Sequence, residues 1–321
     1  MDILTDVNKR LLYELDFNAR QSLSRLARKF HTSKQVLAYR LERLQKDGII
    51  RGFYADINPS KLGLVIYLFY LKFQHLSIAK EKEFIEHVNK HPRISVNASV
   101  HGKWDHNIAI FARNIHEFKD VYEHLMKDYE KYVKEKRITI VTDFWYYKPK
   151  YLVSSNELAE IEMSGPLETG LIDKDDNEIL KILAEQARMP LTEIAKKVGL
   201  TANTVKNRIK GLEKRGIILG YRVMVNHEKL KKLHYRVFFF LENIPARQEE
   251  LRNFLALQPQ VISITKAIGL CELDCRMLFE DVTEFYEFVN KLKSRFIDVI
   301  KDFEPLIYYK FHKSLNYYPM T

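Results

Sequence analysis

Residues Gly199 to Gly220 read GLTANTVKNRIKGLEKRGIILG. Gly199-Leu200 suits a tight turn, and Thr201 is a candidate N-cap whose hydroxyl can accept from a first-turn amide. Val205, Ile209 and Leu212 follow at helical spacing as one apolar stripe, and Gly216 suits the stop. Upstream, Ile179, Leu180 and Leu183, then Ile194, Ala195 and Val198, mark two more short helices around Met189-Pro190. Three short helices with a tight turn before the third form the helix-turn-helix pattern. Ile217 to Val225 nearly alternates and reads as a strand pair or wing.

The same pattern occurs earlier. Shifted by 168 residues, Leu12 to Phe73 overlies Leu180 to Leu241 without a gap. Ala19 and Arg20 meet Ala187 and Arg188, and Gly48, Ile49, Ile50 and Gly52 meet Gly216, Ile217, Ile218 and Gly220. Further on, a shift of 167 matches Pro92 with Pro259, Gly102 with Gly269 and Phe118 with Phe285. A period this long is a duplicated two-part unit, not a solenoid. In the first copy Ser33 is the N-cap candidate, and Leu37, Leu41 and Leu44 form the stripe. His31-Thr32 stands where the second copy has Gly199-Leu200.

The second part of each unit alternates differently. Leu64 to Phe73, Ile94 to Ser99, Ile108 to Ala112 and Ile138 to Tyr146 read as strands, with helices marked by Phe84, Ile85 and Val88 and by Phe118, Val121 and Leu125. Arg236 to Leu241, Val261 to Ile268, Cys275 to Phe279 and Leu306 to Phe311 repeat those strands. The order βαββαβ is ferredoxin-like. The fold class is therefore α+β, two copies of a winged helix-turn-helix domain followed by a ferredoxin-like domain. The expected bounds are 1–60, 61–153, an acidic linker 154–170, 171–230 and 231–321. Glu157 to Met163 in the linker has the length of a short helix.

The 321 residues carry 52 Lys+Arg against 42 Asp+Glu, a net charge of +10. Residues 1–60 hold 11 basic and 7 acidic groups, and residues 171–230 hold 12 and 8, so each has +4. Basic charge on both helix-turn-helix parts favours an anionic partner, double-stranded DNA. In the second copy the face opposite the stripe carries Asn203, Thr204, Lys206, Asn207 and Lys210, with Arg208 at its side. In the first it carries Lys34, Gln35, Ala38, Tyr39 and Glu42, flanked by Arg40 and Arg43. Amides pair with base edges and cations with phosphates. Asn203, Asn207, Gln35 and Tyr39 are expected to face bases. Lys206, Arg208, Lys210, Lys34, Arg40 and Arg43 are expected to face phosphates or guanine, with Ser33 and Thr201 opening the two helices. Glu42 in place of Lys210 predicts different sequence preferences for the two readers.

A winged helix-turn-helix joined to a ferredoxin-like domain through Gly48-Ile49-Ile50-Arg51-Gly52 and Gly216-Ile217-Ile218-Leu219-Gly220 resembles the Lrp/AsnC (feast/famine) transcriptional regulators, over about residues 4–150 and 171–315. Family members are commonly single units that dimerise, so this tandem chain resembles a built-in dimer. The resemblance implies self-association through the ferredoxin-like domains, within or between chains. It also implies a Gly-x-aromatic-Asp turn for assembly and for a small-molecule effector such as an amino acid. Gly102-Lys103-Trp104-Asp105 matches that turn, giving Gly102, Trp104 and Asp105 as effector candidates, whereas Gly269-Leu270-Cys271-Glu272 departs from it.

Other chemistry is not signalled. Seven of the eleven histidines fall between His75 and His124 without forming a ligand pair on one helix face, and His101 and His106 flank a hairpin turn. Cys271 and Cys275 share a strand face by parity and have no second pair opposite, so no metal is expected and buried thiols are. No phosphate-cradling glycine loop or nucleophile elbow occurs. No cofactor and no catalysis are expected. The longest apolar stretch, Leu62 to Phe73, is too short to span a bilayer, and Met1 to Arg10 lacks the apolar core of a targeting segment, which points to the cytoplasm. Two alternatives stay open. One is an enzyme resembling the sirohaem decarboxylases, which resemble this family in both domains. The other is a DNA-packaging protein without sequence choice.

Overall fold

The computed structural model describes residues 4–153, 155, 157–163, 165–169 and 172–314. The first unit runs α1 (Asp6–Leu15), α2 (Leu23–Lys29), α3 (Lys34–Lys46) and β1 (Ile50–Ile57), then β2 (Val65–Phe73), α4 (Ile78–Lys90), β3 (Ile94–His101), β4 (His106–Ala112), α5 (Ile115–Met126) and β5 (Val133–Tyr147). A short strand, β6 (Glu160–Met163), leads to the second unit. There α6 (Lys174–Glu185), α7 (Leu191–Val198), α8 (Ala202–Lys214) and β7 (Ile218–Val225) precede β8 (Leu233–Leu241), α9 (Pro245–Leu257), β9 (Val261–Ile268), β10 (Leu273–Phe279), α10 (Val282–Arg295) and β11 (Ile300–Ser314).

The third helices form as their sequences dictate. Ser33 Oγ accepts from the Val36 amide at 3.2 Å, and Thr201 Oγ1 from the Thr204 amide at 3.1 Å. Leu37, Leu41 and Leu44, and Val205, Ile209 and Leu212, are buried. Gly199 ends α7 with φ 71°, and His31 takes φ 49° at the matching position. The turn is thus kept without glycine, since histidine is among the side chains that tolerate left-handed backbone.

The wing departs from expectation. Each copy contributes one strand, and β1 pairs antiparallel with β7 across the copies, Tyr54 facing Arg222 and Ala55 facing Tyr221. The crossing is reciprocal. Ala19 N donates to Tyr221 O and Ala187 N to Phe53 O, both at 2.8 Å. The Arg20 guanidinium donates to the carbonyls of Ala187 and Met189, and that of Arg188 to Ala19. One apolar core runs through both, from Leu11, Leu37 and Leu44 to Leu183, Val205 and Leu212. The two helix-turn-helix parts are a pseudo-dimer formed within one chain.

The ferredoxin-like sheets also merge. The order β2-β4-β3-β11-β8-β10-β9-β5, with a further β2–β5 pairing, closes eight strands into a ring, and β6 adds to β5. Strands β5 and β11 are 15 residues each, longer than their alternation suggests, because their far ends leave their own sheet for the other unit's β9 and β3. Alternation sorts the side chains. Tyr67, Phe69 and Leu71 pack beneath α4 and α5, and Val237, Phe239 and Cys275 beneath α9 and α10. Leu68, Tyr70, Trp104, Phe238, Leu306 and Tyr308 form a separate cluster between the sheets.

Two expectations need correction. The linker holds strand β6, not a helix, because Glu160–Met163 finds the open edge of β5, and Ser154, Ser164 and Gly170 lie outside the described residues. Cys271 and Cys275 are free and buried but share no face. Cys271 precedes β10 in the turn and packs in the inter-sheet cluster, while Cys275 packs beneath the helices. Among the described residues, no helix is long and apolar enough to cross a membrane.

Candidate nucleic-acid interface

Helix α8 presents Asn203, Lys206, Asn207 and Lys210 to solvent, with Thr204 half-buried beside its cap. Arg208 sits elsewhere. Its Nη1 donates to Asp173 Oδ2 at 2.7 Å and Asp176 Oδ1 at 2.9 Å, and its Nη2 to Asp175 Oδ2 at 3.0 Å. The hydrogen bond it donates to Asp173, then that to Asp176, raises its pKa further. Asp173 is also the N-cap of α6. Arg208 therefore fastens α8 to the start of α6, and its expected phosphate role is corrected to a structural one, because three carboxylates already occupy the guanidinium.

Helix α3 exposes Lys34, Gln35 and Tyr39, the last 63% exposed. Arg43 is half exposed with Asp47 3.6 Å away, so it reaches solvent and can reach a phosphate. Arg40 is partly engaged within the fold. It is half-buried and donates from Nη1 to Asn8 Oδ1 on α1 at 3.1 Å. Sequence reasoning passed over Val36, which stands 43% exposed between Gln35 and the core stripe and offers a methyl surface of the kind that meets a thymine methyl. Its departure from the stripe was the available signal.

The Gly102–Asp105 turn packs closely against the second unit. Gly102 has φ 140°, and a Cβ there would come 3.1 Å from Pro305 O of the second unit's last strand. Its counterpart Gly269 has φ 137° and would meet Ile138 O of β5 at 2.5 Å. Trp104 is fully buried between the sheets, and Asp105 accepts from Lys72 Nζ at 2.7 Å and the Phe73 amide at 2.8 Å. Trp104 Nε1 has no hydrogen-bond partner, and Asp105 also lines a surface cavity with His75, Glu81 and His101.

His101 and His106 do not meet. His101 is exposed, whereas His106 is buried and its Nε2 lies 3.1 Å from Glu81 Oε1. The rings of His87, His91 and His124 do cluster, with centroids 5.0 and 5.3 Å from that of His124. That cluster escaped the sequence reading because it joins α5 to the end of α4. Among the described residues no group of three or more His, Cys, Asp or Glu is arranged to hold a metal ion.

A second region was not signalled at all. Between the wing strands and the second unit's half of the ring lies a cavity of about 140 Å³, whose walls include Arg222, His227, His234, Arg276, Tyr54 and Tyr146. Burial, then the charges of Arg276 and Arg222, lowers the His227 pKa to about 3, and burial likewise lowers that of His234. Both imidazoles are neutral near pH 7.

Comparison with known proteins places these features. Residues 172–213 match the AsnC-type helix-turn-helix domain, and residues 4–51 match a winged helix-turn-helix DNA-binding domain. An uncharacterized HTH-type transcriptional regulator of Pyrococcus furiosus is 33% identical over 130 residues, 39% of this chain and 83% of the relative. A proline dehydrogenase transcriptional activator of Rhodobacter capsulatus is 41% identical over 126 residues, 38% of this chain and 81% of the relative. Each relative thus corresponds to well under half of this chain, as a duplicated unit requires. Over the whole length, the chain is similar in fold to the siroheme decarboxylase NirDL, with a TM-score of 0.65, 15% identity, and coverage of 99% of this chain and 95% of that one. The two helix-turn-helix matches, with identities of 33% and 41% over 83% and 81% of the two regulators, show that this chain belongs to the Lrp/AsnC family.

Proposed function

We propose that this protein is a sequence-specific DNA-binding transcriptional regulator that acts in the cytoplasm without a catalytic step, one chain supplying both reading heads. The observation that carries this reading is the pair of capped third helices, α3 and α8, fixed on one shared core with amides and cations facing solvent. Each would enter a major groove, reading half-sites about one helical turn, ~34 Å, or a multiple apart. Asn203, Asn207, Gln35 and Tyr39 would meet base edges, and Lys206, Lys210, Lys34 and Arg43 phosphates. Gly102, Trp104 and Asp105 would serve assembly through the ferredoxin-like domains, and a small-molecule effector would act elsewhere. Further self-association would use the outer surface of the ring.

Fluorescence anisotropy of duplex binding at two salt concentrations tests this. A slope of log affinity against log salt near the number of phosphates contacted is expected, together with a preference among sequences. Steep salt dependence with no preference would instead establish a packaging role, and absence of binding at low salt would remove the DNA reading.

A second reading is a decarboxylase acting on a tetrapyrrole. It is favoured by the arginines and histidines at the cavity, which would have to widen to admit a tetrapyrrole, and by the fold shared along the whole chain with NirDL. It predicts that iron-uroporphyrin III binds and that carbon dioxide is released from a sirohaem substrate.

A further inference from the structure

The two units place equivalent strands around equivalent spaces, and they fill them differently. Arg236 faces Arg276 across β8 and β10, just as Leu68 faces Ala109 across β2 and β4. By the same repeat Asp274 corresponds to Asn107, His234 to Ile66, His227 to Pro59 and Arg222 to Tyr54. The first unit's space, about 80 Å³, has Pro59, Ile66, Leu68 and Ala109 on its own unit's side, and Arg236 and Arg276 reach it from the second unit. Since the first unit carries Ile66, Leu68 and Ala109 where the second carries His234, Arg236 and Arg276, the fold itself does not require charge at these positions.

Burying charge is costly unless each group is paired. Part of the second unit's set is paired. Arg236 Nε and Nη2 meet Asp274 at 2.9 and 2.7 Å, and Arg236 also donates to Tyr308, whose hydroxyl donates to Asn107 at 2.8 Å. The part lining the larger cavity is paired only incompletely. His234 is 6% exposed, and neither of its ring nitrogens has a hydrogen-bond partner. Arg222 is 8% exposed. Its Nε and Nη2 hold Asp16 at 3.0 and 2.9 Å, Asp56 lies 3.7 Å from Nε, and its Nη1 has no hydrogen-bond partner. Arg276 donates from Nε to Ser263 Oγ at 2.8 Å, and among the described residues it has no carboxylate within ion-pair distance. Both guanidiniums lie over the Tyr146 ring, at 4.4 and 5.5 Å from its centroid.

We propose that this cavity binds a small organic carboxylate with a flat conjugated body. The carboxylate lies between Arg276 and Arg222 Nη1, and the ring lies against Tyr146 with His234 hydrogen-bonded to a polar edge. The charge chooses an anion, since among the described residues the only carboxylate lining the cavity, Asp16, is already held by Arg222. The planar lining chooses a flat body, since rings and guanidinium faces stack on π systems. The volume chooses the size, since a cavity of about 150 Å³ holds a benzene ring. Strands β1 and β7 supply Tyr54 and Arg222, so the ligand touches the wings that join the two DNA-reading parts.

The test is isothermal titration of the full chain with benzoate, 4-hydroxybenzoate and indole-3-acetate, each against its uncharged primary amide. At least one acid is expected to bind tenfold or more tightly than its amide. Arg276→Ala and His234→Ile, which restore what the first unit carries, should each lower that affinity at least tenfold while leaving duplex binding without ligand unchanged. Equal binding of acids and amides, no binding by any acid, or full affinity in Arg276→Ala would overturn the proposal. Iron-uroporphyrin III is titrated in parallel. Its binding in place of the single-ring acids would overturn the assigned size and support the decarboxylase reading. Because the readout is ligand binding, failure here is separate from failure of the DNA reading.

Discussion

The two units share a backbone plan and differ in what they place inside it. In the first, Ile66, Leu68 and Ala109 line the space between sheet and wing. In the second, the same positions hold His234, Arg236 and Arg276. The reading helices diverge in parallel, Glu42 on α3 standing where α8 has Lys210. Duplication within one chain frees each copy to specialise, since a homodimer must carry every substitution twice. The shared parts, capped helices, crossed wings and closed ring, show what the architecture needs. The differences show what each half is for.

The sharpest way to break the comparison is to unbalance the charged half. Asp274→Ala leaves Arg236 buried without its carboxylate and is expected to cost about 3–5 kcal/mol. Asn107→Ala at the equivalent site removes one neutral hydrogen bond from Tyr308 and should cost about 1–2 kcal/mol. Urea midpoints of the two variants check the contrast, and equal losses would show that the pair is not buried as described.

Asp56 on β1 tests the wing. It is fully buried, its carboxylate oxygens lack hydrogen-bond donors, and Arg222 Nε lies 3.7 Å away. Burial, partly opposed by Arg222, pushes its pKa from 3.8 up to about 7. The folded protein then keeps a proton that the unfolded chain releases, so stability is greatest below about pH 4 and falls as pH rises to about 7. Asp56→Asn should remove that fall, gaining on the wild type by about 2–4 kcal/mol between pH 4 and pH 7.5. Thermal or urea unfolding at several pH values reads the crossing. A pH-independent difference would place the carboxyl in a different environment.

The reading heads give smaller effects. Asn207→Ala should relax discrimination at one base position by about 1–3 kcal/mol, and Gln35→Ala should do so at a position in the other half-site. Competition binding with single-base variants separates the two. Lys210→Ala should flatten the salt slope by about one and Glu42→Lys steepen it by about one, without changing the preferred sequence. Arg208→Ala, by contrast, should lower stability first, because its three carboxylates belong to α6.

Much of this was legible in the sequence, for local reasons. Caps, stripes and the Gly216 stop are set by neighbours within a few residues, so α3 and α8 follow directly from Ser33, Leu37, Thr201 and Val205. The crossed wing was hidden because β1 and β7 each read as half of a hairpin, and nothing in either strand names its partner. The lengths of β5 and β11 were hidden for the same reason, since their tails pair outside their own sheet. Arg208 and Arg40 looked free because their partners, Asp173 to Asp176 and Asn8, sit on another helix. The cavity escaped notice because Arg222, His234 and Arg276 come from three strands, each reading as a single polar interruption.

The central claim is that one chain carries two unlike reading heads on a fixed core. Selection of bound duplexes from a randomised pool, followed by sequencing, tests it most directly. The account predicts enrichment of two different half-sites in fixed order, spaced by about one helical turn or a multiple. Recovery of a perfect palindrome, of a single half-site, or of no motif would contradict it.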